Sequence, residues 1–374
     1  MWAKREKQEE QPELLEEARD WFLKLEQKDP EAIKLWKWFI DISLVEFQKI
    51  YDLLKIQFDS YQGESYATET VPQVVQLLKE KHLLEESEGA NVVFLNEFDL
   101  PPCLITKTNG TSIYPSRDLA TVLNRKKTYE FERCLYVTGA EQQLHFNQVF
   151  HVIQKMGYEW WKDLVHMPYG LVSFQGEKFS SRNGTMVFAK DLLQEAMTRA
   201  KTIIEEKNPT LDKKEEVARQ VGIGAIIFHD LFNIKIKNVS FVWDQVLNFD
   251  GATGPYVQYT CARASSILTK NGIAGVPTKL PKSEYYADSA SIRILELLTS
   301  YQDTIKEATN RYEPCVITRY AYALAQAFNQ FYQECNIQNS EAECKEARLF
   351  LTSLAHHTMR DAMALLGIEC PEKM

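Results

Sequence analysis

CLYVTGAEQQLHF, residues 134–146, changes period at its centre. The first six residues are β-like, and the chain after Gly139 runs into a helical stretch at 141–156. The same succession lies on either side. SIY (112–114) precedes a helical stretch at 117–127, and MPYGLVSF (167–174) precedes one at 188–206. VVFLNEF (92–98) and CLITKT (103–108) add two short strands around Pro101-Pro102. Strand–helix alternation predicts an α/β unit with a parallel sheet. Such sheets collect ligands at the carboxyl ends of their strands, and Gln142 stands just after one such end.

Outward from this core the pattern is helical. Residues 13–56 carry Trp21, Leu25, Leu35, Trp38, Phe39, Leu44, Phe47, Tyr51 and Leu54 at helical spacing, with a break at Asp29-Pro30. VPQVVQLLKEKHLLEE (71–86) predicts another helix. The last third predicts helices at 213–232, 256–270, 288–308, 315–334 and 341–366. Ile294, Leu298, Tyr301 and Ile305 form one apolar stripe there, and Leu351, Leu354, Thr358, Ala362 and Leu365 a second. No fixed-period repeat is present.

The chain's 374 residues suggest two or three domains. Apolar residues at 45% and charged residues at 25% fit an ordinary globular protein, and 15 Gly with 13 Pro exclude collagen-like and low-complexity classes. No apolar run approaches the roughly 18 residues of a membrane helix. The charged start MWAKREKQEEQPELLEE does not read as a signal peptide. Seven Cys, scattered singly and without a CxxC, argue against a disulfide framework and a structural zinc site. They predict reduced thiols, a cytoplasmic location and no metal centre. A net charge of −9 does not advertise a nucleic-acid binder, so any such contact has to come from a local basic and aromatic face.

Three short segments carry candidate chemistry. Lys178-Phe179-Ser180-Ser181-Arg182-Asn183-Gly184 supplies cations, hydroxyls and a permissive backbone before a helix, as phosphate binding requires, yet it reads equally as a polar turn. It is not a P-loop, since GxxxxGK[ST] is absent. In Tyr114-Pro115-Ser116-Arg117-Asp118, the carboxylate suits a guanidinium or ammonium group, or it complements the dipole of a helix first turn. Gln142-Gln143-Leu144-His145-Phe146 is either a ligand-lining segment, with His145 as a base, or an ordinary helix start. Tyr256, Tyr259, Phe328, Phe331 and Tyr332 read as stacking platforms for bases or as core.

Taken in order, these segments resemble the arginyl-tRNA synthetases, a class I aminoacyl-tRNA synthetase family. The resemblance covers nearly the whole chain. It rests on LWKWFIDISLVEFQKIYDLL (35–54) with FDSYQGES (58–65), YPSRD (114–118), LYVTGAEQQLHF (135–146), GEKFSSRNGT (176–185), FDGATGPYVQYTCARASSIL (249–268) and ALLGIECPEKM (364–374). It implies an α/β plus all-α fold, the second half of a Rossmann-type catalytic domain followed by a DALR-type helical bundle. The implied division is a connective helical segment at 1–66, the catalytic half at 67–248 and the anticodon-binding domain at 249–374. The implied reaction is ATP-dependent activation of L-arginine to arginyl-adenylate, with Mg2+ accompanying ATP, and transfer to tRNA(Arg) by a monomer.

The implied site residues follow from the matching motifs. KFSSR stands for the KMSKS loop that closes on ATP phosphates, which gives Lys178, Ser180, Ser181 and Arg182 catalytic roles, with Ser181 replacing the second Lys. Tyr114, Asp118 and Gln142 are the implied arginine-binding residues. Tyr256, Tyr259 and Met374 are the implied tRNA-binding residues. One departure is large: none of the seven His sits in the HxGH context of the family's other motif. The expectation is an N-truncated chain that covers the C-terminal two-thirds of the family, lacks the HIGH region, and is inactive or nearly so by itself. A half-sheet also predicts an exposed strand edge and an uncovered apolar face. The alternatives are a non-catalytic tRNA-binding protein that keeps the anticodon domain, and a split enzyme whose front half is another chain.

Overall fold

In the computed structural model, which describes residues 12–63, 65–107, 113–174, 177–178 and 188–374, Asp29-Pro30 is a helix start. It separates α1 (Pro12–Glu26) from α2 (Pro30–Leu54). The Asp29 carboxylate accepts from the N–H groups of Glu31 and Ala32 at 3.0 Å each. Such a cap is worth about 1 kcal/mol. Pro30 fills the first turn, where no donor is missed. The helical period expected for 30–54 is present, but Trp38, Phe39, Val45 and Phe47 are exposed and only Ala32 is buried.

The chain separates into two compact units, residues 58–171 and the remainder. The first contains α3 (Val71–Glu80), β1 (Glu85–Ser87), β2 (Ala90–Leu95), β3 (Leu100–Thr106), α4 (Tyr114–Tyr129), β4 (Cys134–Gly139), α5 (Gln143–Lys155) and β5 (Leu164–Tyr169). Strands β1–β3 form an antiparallel meander. Strands β4 and β5 run parallel, from Cys134 opposite Leu164 to Gly139 opposite Tyr169. A parallel pair needs a crossover, which α5 supplies. Leu78, Leu95, Ile105, Leu119, Val149 and Ile153 fill the core.

Two expectations change here, and the first is the helix expected over 71–86, which ends at Glu80 and gives way to strand at Glu85–Ser87. Tyr114 does not end a strand but begins α4, because Pro115 presets a first-turn φ and Ile113 is the extended residue ahead of it. Residue 112 lies outside the described residues. The expected uncovered face is present on β4. Leu135 and Val137 are 44% and 62% exposed, alternating with the buried Tyr136.

The second unit contains α1 and α2, then β6 (Val172–Phe174), β7 (Glu177–Lys178), α6 (Ala189–Lys207), α7 (Lys214–Phe232), β8 (Val239–Phe241), α8 (Gly254–Lys270), α9 (Ser289–Arg311), α10 (Cys315–Glu334) and α11 (Ala342–Leu365). Strand β6 pairs with β7 antiparallel and with β8 parallel. Phe228, Ile294, Leu324, Phe328, Phe331 and Leu351 centre its core. Helices α7 and α8 approach closely at two glycines. A Cβ on Gly254 would lie 2.7 Å from the Gly224 carbonyl oxygen. That contact fixes the first turn of α8.

The α9 stripe begins in the core with Ile294, but the α11 stripe is rotated. Leu351 and Ala362 are buried as expected, but Ala355, Met359 and Met363 are buried beside them, while Leu365 is 55% exposed. Both registers have a helical period, and small side chains mark the buried one where helices pack closely. All seven Cys are free thiols, four of them buried. No helix among the described residues is long and apolar enough to cross a membrane.

The α11 core also holds His356, which is buried with an unpartnered Nδ1. Burial, then the charges of Arg360 and His357, push its pKa from 6.5 down to about 4. The unfolded chain therefore binds this proton at higher pH than the folded one. Its contribution to stability is intact above 6.5 and is lost as pH falls from 6.5 towards 4, by about 3 kcal/mol. Urea midpoints between pH 7 and 4.5 are expected to fall less steeply in His356→Leu than in the parent chain.

Candidate functional site

The carboxyl end of β4 is where unit 58–171 gathers polar groups. After Gly139 the chain makes one 3-10 turn, Ala140–Gln142, and enters α5. Helix α4 is seated by Ser116, whose buried hydroxyl accepts from the Ile113 N–H at 3.1 Å and donates to its carbonyl at 2.8 Å. Asp118 follows in the second turn of α4. It is therefore not the first-turn dipole partner that the sequence allowed. Its Oδ2 lies 2.6 Å from His145 Nε2, and both side chains are partly buried.

Tyr114 precedes Asp118 by four residues on the same helix, so the two share a face. Tyr114 is 71% exposed, and Gln142 is exposed at the end of the 3-10 turn. Among these residues the structure joins Asp118 to His145 and leaves Tyr114 and Gln142 open to solvent. Behind them, His166 on β5 lies 2.8 Å from the Thr138 hydroxyl and stacks on Phe146. Burial first, then the nearby His145, holds the His166 pKa below its ordinary value.

Lys178 lies in β7, opposite Ser173. Ser180, Ser181 and Arg182 lie outside the described residues. Among the described residues, no group of three or more His, Cys, Asp or Glu is placed to hold a metal ion.

The other unit brings Tyr256, Tyr259 and Met374 together around one cavity of about 500 Å³. Thr253 caps α8 by accepting from the Tyr256 N–H, which sets both tyrosines on the first two turns. The chain end is fastened as a strap after the left-handed Gly367. The Glu369 carboxylate takes Lys55 at 2.6 Å and Arg219 at 2.5 Å. The Glu369 carbonyl accepts from buried Gln258 at 2.6 Å. The Met374 carbonyl accepts from Asn208 at 3.4 Å.

Of the aromatics with two readings, Phe328 and Phe331 are core, whereas Tyr259 and Tyr332 are exposed. Three groups at this cavity were not singled out in the sequence: Arg263, Asn329 and Lys207. The Arg263 guanidinium lies 4.9 Å from the Tyr259 ring and 5.3 Å from Tyr332. Lys207 lies 4.5 Å from Phe249. The i, i+4 spacing of Tyr259 and Arg263 was the available signal. Two cations, Arg263 and Lys207, thus lie against aromatic rings at this one cavity. A larger cavity of 790 Å³ in the same unit is lined by Lys55, Glu216, Glu369 and Lys373, and its charges largely satisfy one another.

Known proteins fit this geometry. The family model described as tRNA synthetases class I (R), catalytic domain, matches residues 2–243, and the DALR anticodon binding domain matches 257–374. The chain is 46% identical over 369 residues to the arginine--tRNA ligase of Halothermothrix orenii, covering 99% of this chain and 65% of that protein. It is 47% identical over 371 residues to the corresponding protein of Enterococcus faecalis, with the same two coverages. It thus spans about two-thirds of the length of these relatives. Among solved structures, arginyl-tRNA synthetase from Plasmodium falciparum superposes with a TM-score of 0.81 at 25% identity, covering 94% of this chain and 60% of that one. The Thermus thermophilus arginyl-tRNA synthetase has the same fold, with a TM-score of 0.80 at 24% identity, covering 94% of this chain and 68% of that one.

Proposed function

This chain belongs to the arginyl class I tRNA synthetases, and from that membership we propose that it serves an arginine–tRNA ligase reaction. In this reading the carboxylate of L-arginine attacks the α-phosphate of ATP. Pyrophosphate leaves and arginyl-adenylate forms. The terminal ribose hydroxyl of tRNA(Arg) then takes the arginyl group and AMP leaves. Asp118 anchors the guanidinium or ammonium group of arginine, with Tyr114 and Gln142 lining the same pocket. Lys178, Ser180, Ser181 and Arg182 act on the ATP phosphates, where fixed charge and positioning lower the barrier. Mg2+ arrives with the triphosphate.

The observation that carries the reading is the 2.6 Å contact of Asp118 with His145 at the end of a parallel strand. It is a carboxylate already organised for a cation, at the place where such sheets bind ligands. Tyr256, Tyr259 and Met374 take the anticodon region of tRNA(Arg). The functional segments are 1–66, 67–248 and 249–374, and the protein works as a cytoplasmic monomer. A second reading, a non-catalytic tRNA binder, draws on the match of residues 257–374 to the DALR anticodon binding domain.

A chimera separates these readings. The part of the Enterococcus faecalis relative outside the 371 matched residues is joined to this chain, and arginine-dependent aminoacylation of total tRNA is measured. The chimera is expected to charge tRNA with arginine. Residues 1–374 by themselves are expected to be slower by about 100-fold or more, the effect of losing a preorganised charge-stabilising group. A chimera that binds tRNA without charging it would support the second reading, and full activity of the 374-residue chain would refute the expected dependence.

A further inference from the structure

Asn329 on α10 touches three members of the aromatic cavity at once. Its Oδ1 accepts from Arg263 Nη1 at 2.5 Å. Its Nδ2 donates to the Tyr256 hydroxyl at 3.0 Å and to Thr260 Oγ1 at 2.9 Å. A guanidinium is only a donor, so the amide atom facing Arg263 has to be the oxygen, and the nitrogen therefore faces the two hydroxyls. The Thr260 hydroxyl proton goes to the Tyr256 carbonyl at 2.8 Å, which leaves Thr260 Oγ1 as acceptor for Asn329.

Both N–H bonds of Asn329 are thus committed. Because the Tyr256 oxygen accepts from Asn329, its own proton turns away from the amide. Arg263 is held at one nitrogen, its guanidinium lies close to the Tyr259 and Tyr332 rings, and it lines the cavity. No carboxylate is paired with it among the described residues.

We propose that Asn329 is a positioning residue that orients the Tyr256 hydroxyl and the Arg263 fork as outward donors, so that the cavity accepts a nucleobase edge presenting adjacent hydrogen-bond acceptors. The proposal rests on the tRNA-binding reading of this cavity. Aromatic rings supply sequence-tolerant stacking. Discrimination between bases needs donors fixed in direction, and a three-way amide supplies that where flexible side chains would adapt to any edge.

The test uses the 374-residue chain and an RNA hairpin with the anticodon stem-loop of tRNA(Arg), together with hairpins carrying each single loop-base replacement. Asn329→Asp keeps the shape and still accepts from Arg263, but it cannot donate, so the Tyr256 proton turns inward to it. Binding of the preferred hairpin is expected to weaken about tenfold, the scale of one base-edge contact. The preference over replaced loops should shrink by a similar factor. In a Tyr256→Phe background the same substitution is expected to change little, because contacting groups do not contribute additively.

Melting temperatures of all four proteins accompany the binding curves. Additive effects of Asn329→Asp and Tyr256→Phe, or unchanged loop preference in Asn329→Asp, would overturn the proposal. Arg263→Ala and Tyr259→Ala report on the underlying reading. If neither alters hairpin binding, the cavity is not an RNA site. If both weaken binding and Asn329→Asp does not, only the positioning role fails.

Discussion

Asp118→Ala is expected to raise the KM for arginine about 30- to 1000-fold in the active chimera, the penalty for removing one partner of a hydrogen-bonded charge pair. The KM for ATP and the affinity for tRNA should stay within about threefold, since an uncoupled site changes binding by well under 1 kcal/mol. The geometry explains the asymmetry. Asp118 is partly buried, in the second turn of α4, and its present partner is His145 at 2.6 Å. A cationic substrate replaces that partner with a bidentate guanidinium or an ammonium group. Removing the carboxylate leaves the cation without a counter-charge in a partly desolvated site. Asp118→Asn retains shape and loses charge, so it should recover little. His145→Gln, which can still donate to Asp118, should fall between Asp118→Ala and the parent. Arginine KM values for this series, measured by ATP–pyrophosphate exchange, check the order.

The paired substitution Tyr256→Ala/Tyr259→Ala is expected to weaken tRNA(Arg) binding about 100-fold at fixed salt, as base stacking on one aromatic contributes about 1–3 kcal/mol. Tyr259 is exposed beside Arg263, so its removal takes away a platform without opening the core. Tyr256 is partly buried and packs at 5.4 Å against Tyr322, so part of its effect will appear as a lower melting temperature. The dependence on salt should be nearly the same as in the parent, because neither ring carries charge. Arg263→Ala, by contrast, should reduce the salt slope by about one if its guanidinium meets a phosphate, and leave it unchanged if it meets a base. Titrations at several salt concentrations separate the two cases.

Much of this was legible from residue order. CLYVTG is a strand and the following segment a helix, because Gly139 separates a period of two from a period near 3.6. The helices of the last third lie close to their expected places, since each is closed by polar or Gly/Pro segments. SIY misled because its β-branched and aromatic residues precede a proline that starts a helix at Tyr114. The α11 stripe misled because Ala355 is a core residue whose small size carries little hydropathy signal, whereas Leu365, the more apolar residue, is exposed.

The site was legible only as separate fragments. Asp118 and His145 are 27 residues apart and meet through the fold, so spacing alone could not pair them. Arg263 and Asn329 are 66 apart, and the three hydrogen bonds of Asn329 have no local signature. Met374 lines the aromatic cavity at the end of a strap that Gln258, Arg219 and Lys55 hold at Glu369, contacts far apart in sequence. Family motifs brought Tyr256, Tyr259 and Met374 into one list, and a single cavity of about 500 Å³ is a reason of a different kind for grouping them.

The central claim is that this chain recognises tRNA(Arg), and it can be measured without catalysis. The immobilised 374-residue chain is exposed to a total tRNA pool at about 0.15 M salt, where non-specific phosphate binding is weak. The retained tRNAs are then sequenced. The account predicts that arginine isoacceptors are enriched over every other family, and that Tyr256→Ala/Tyr259→Ala abolishes the enrichment. Retention in proportion to the pool, or enrichment of isoacceptors for another amino acid, would contradict it.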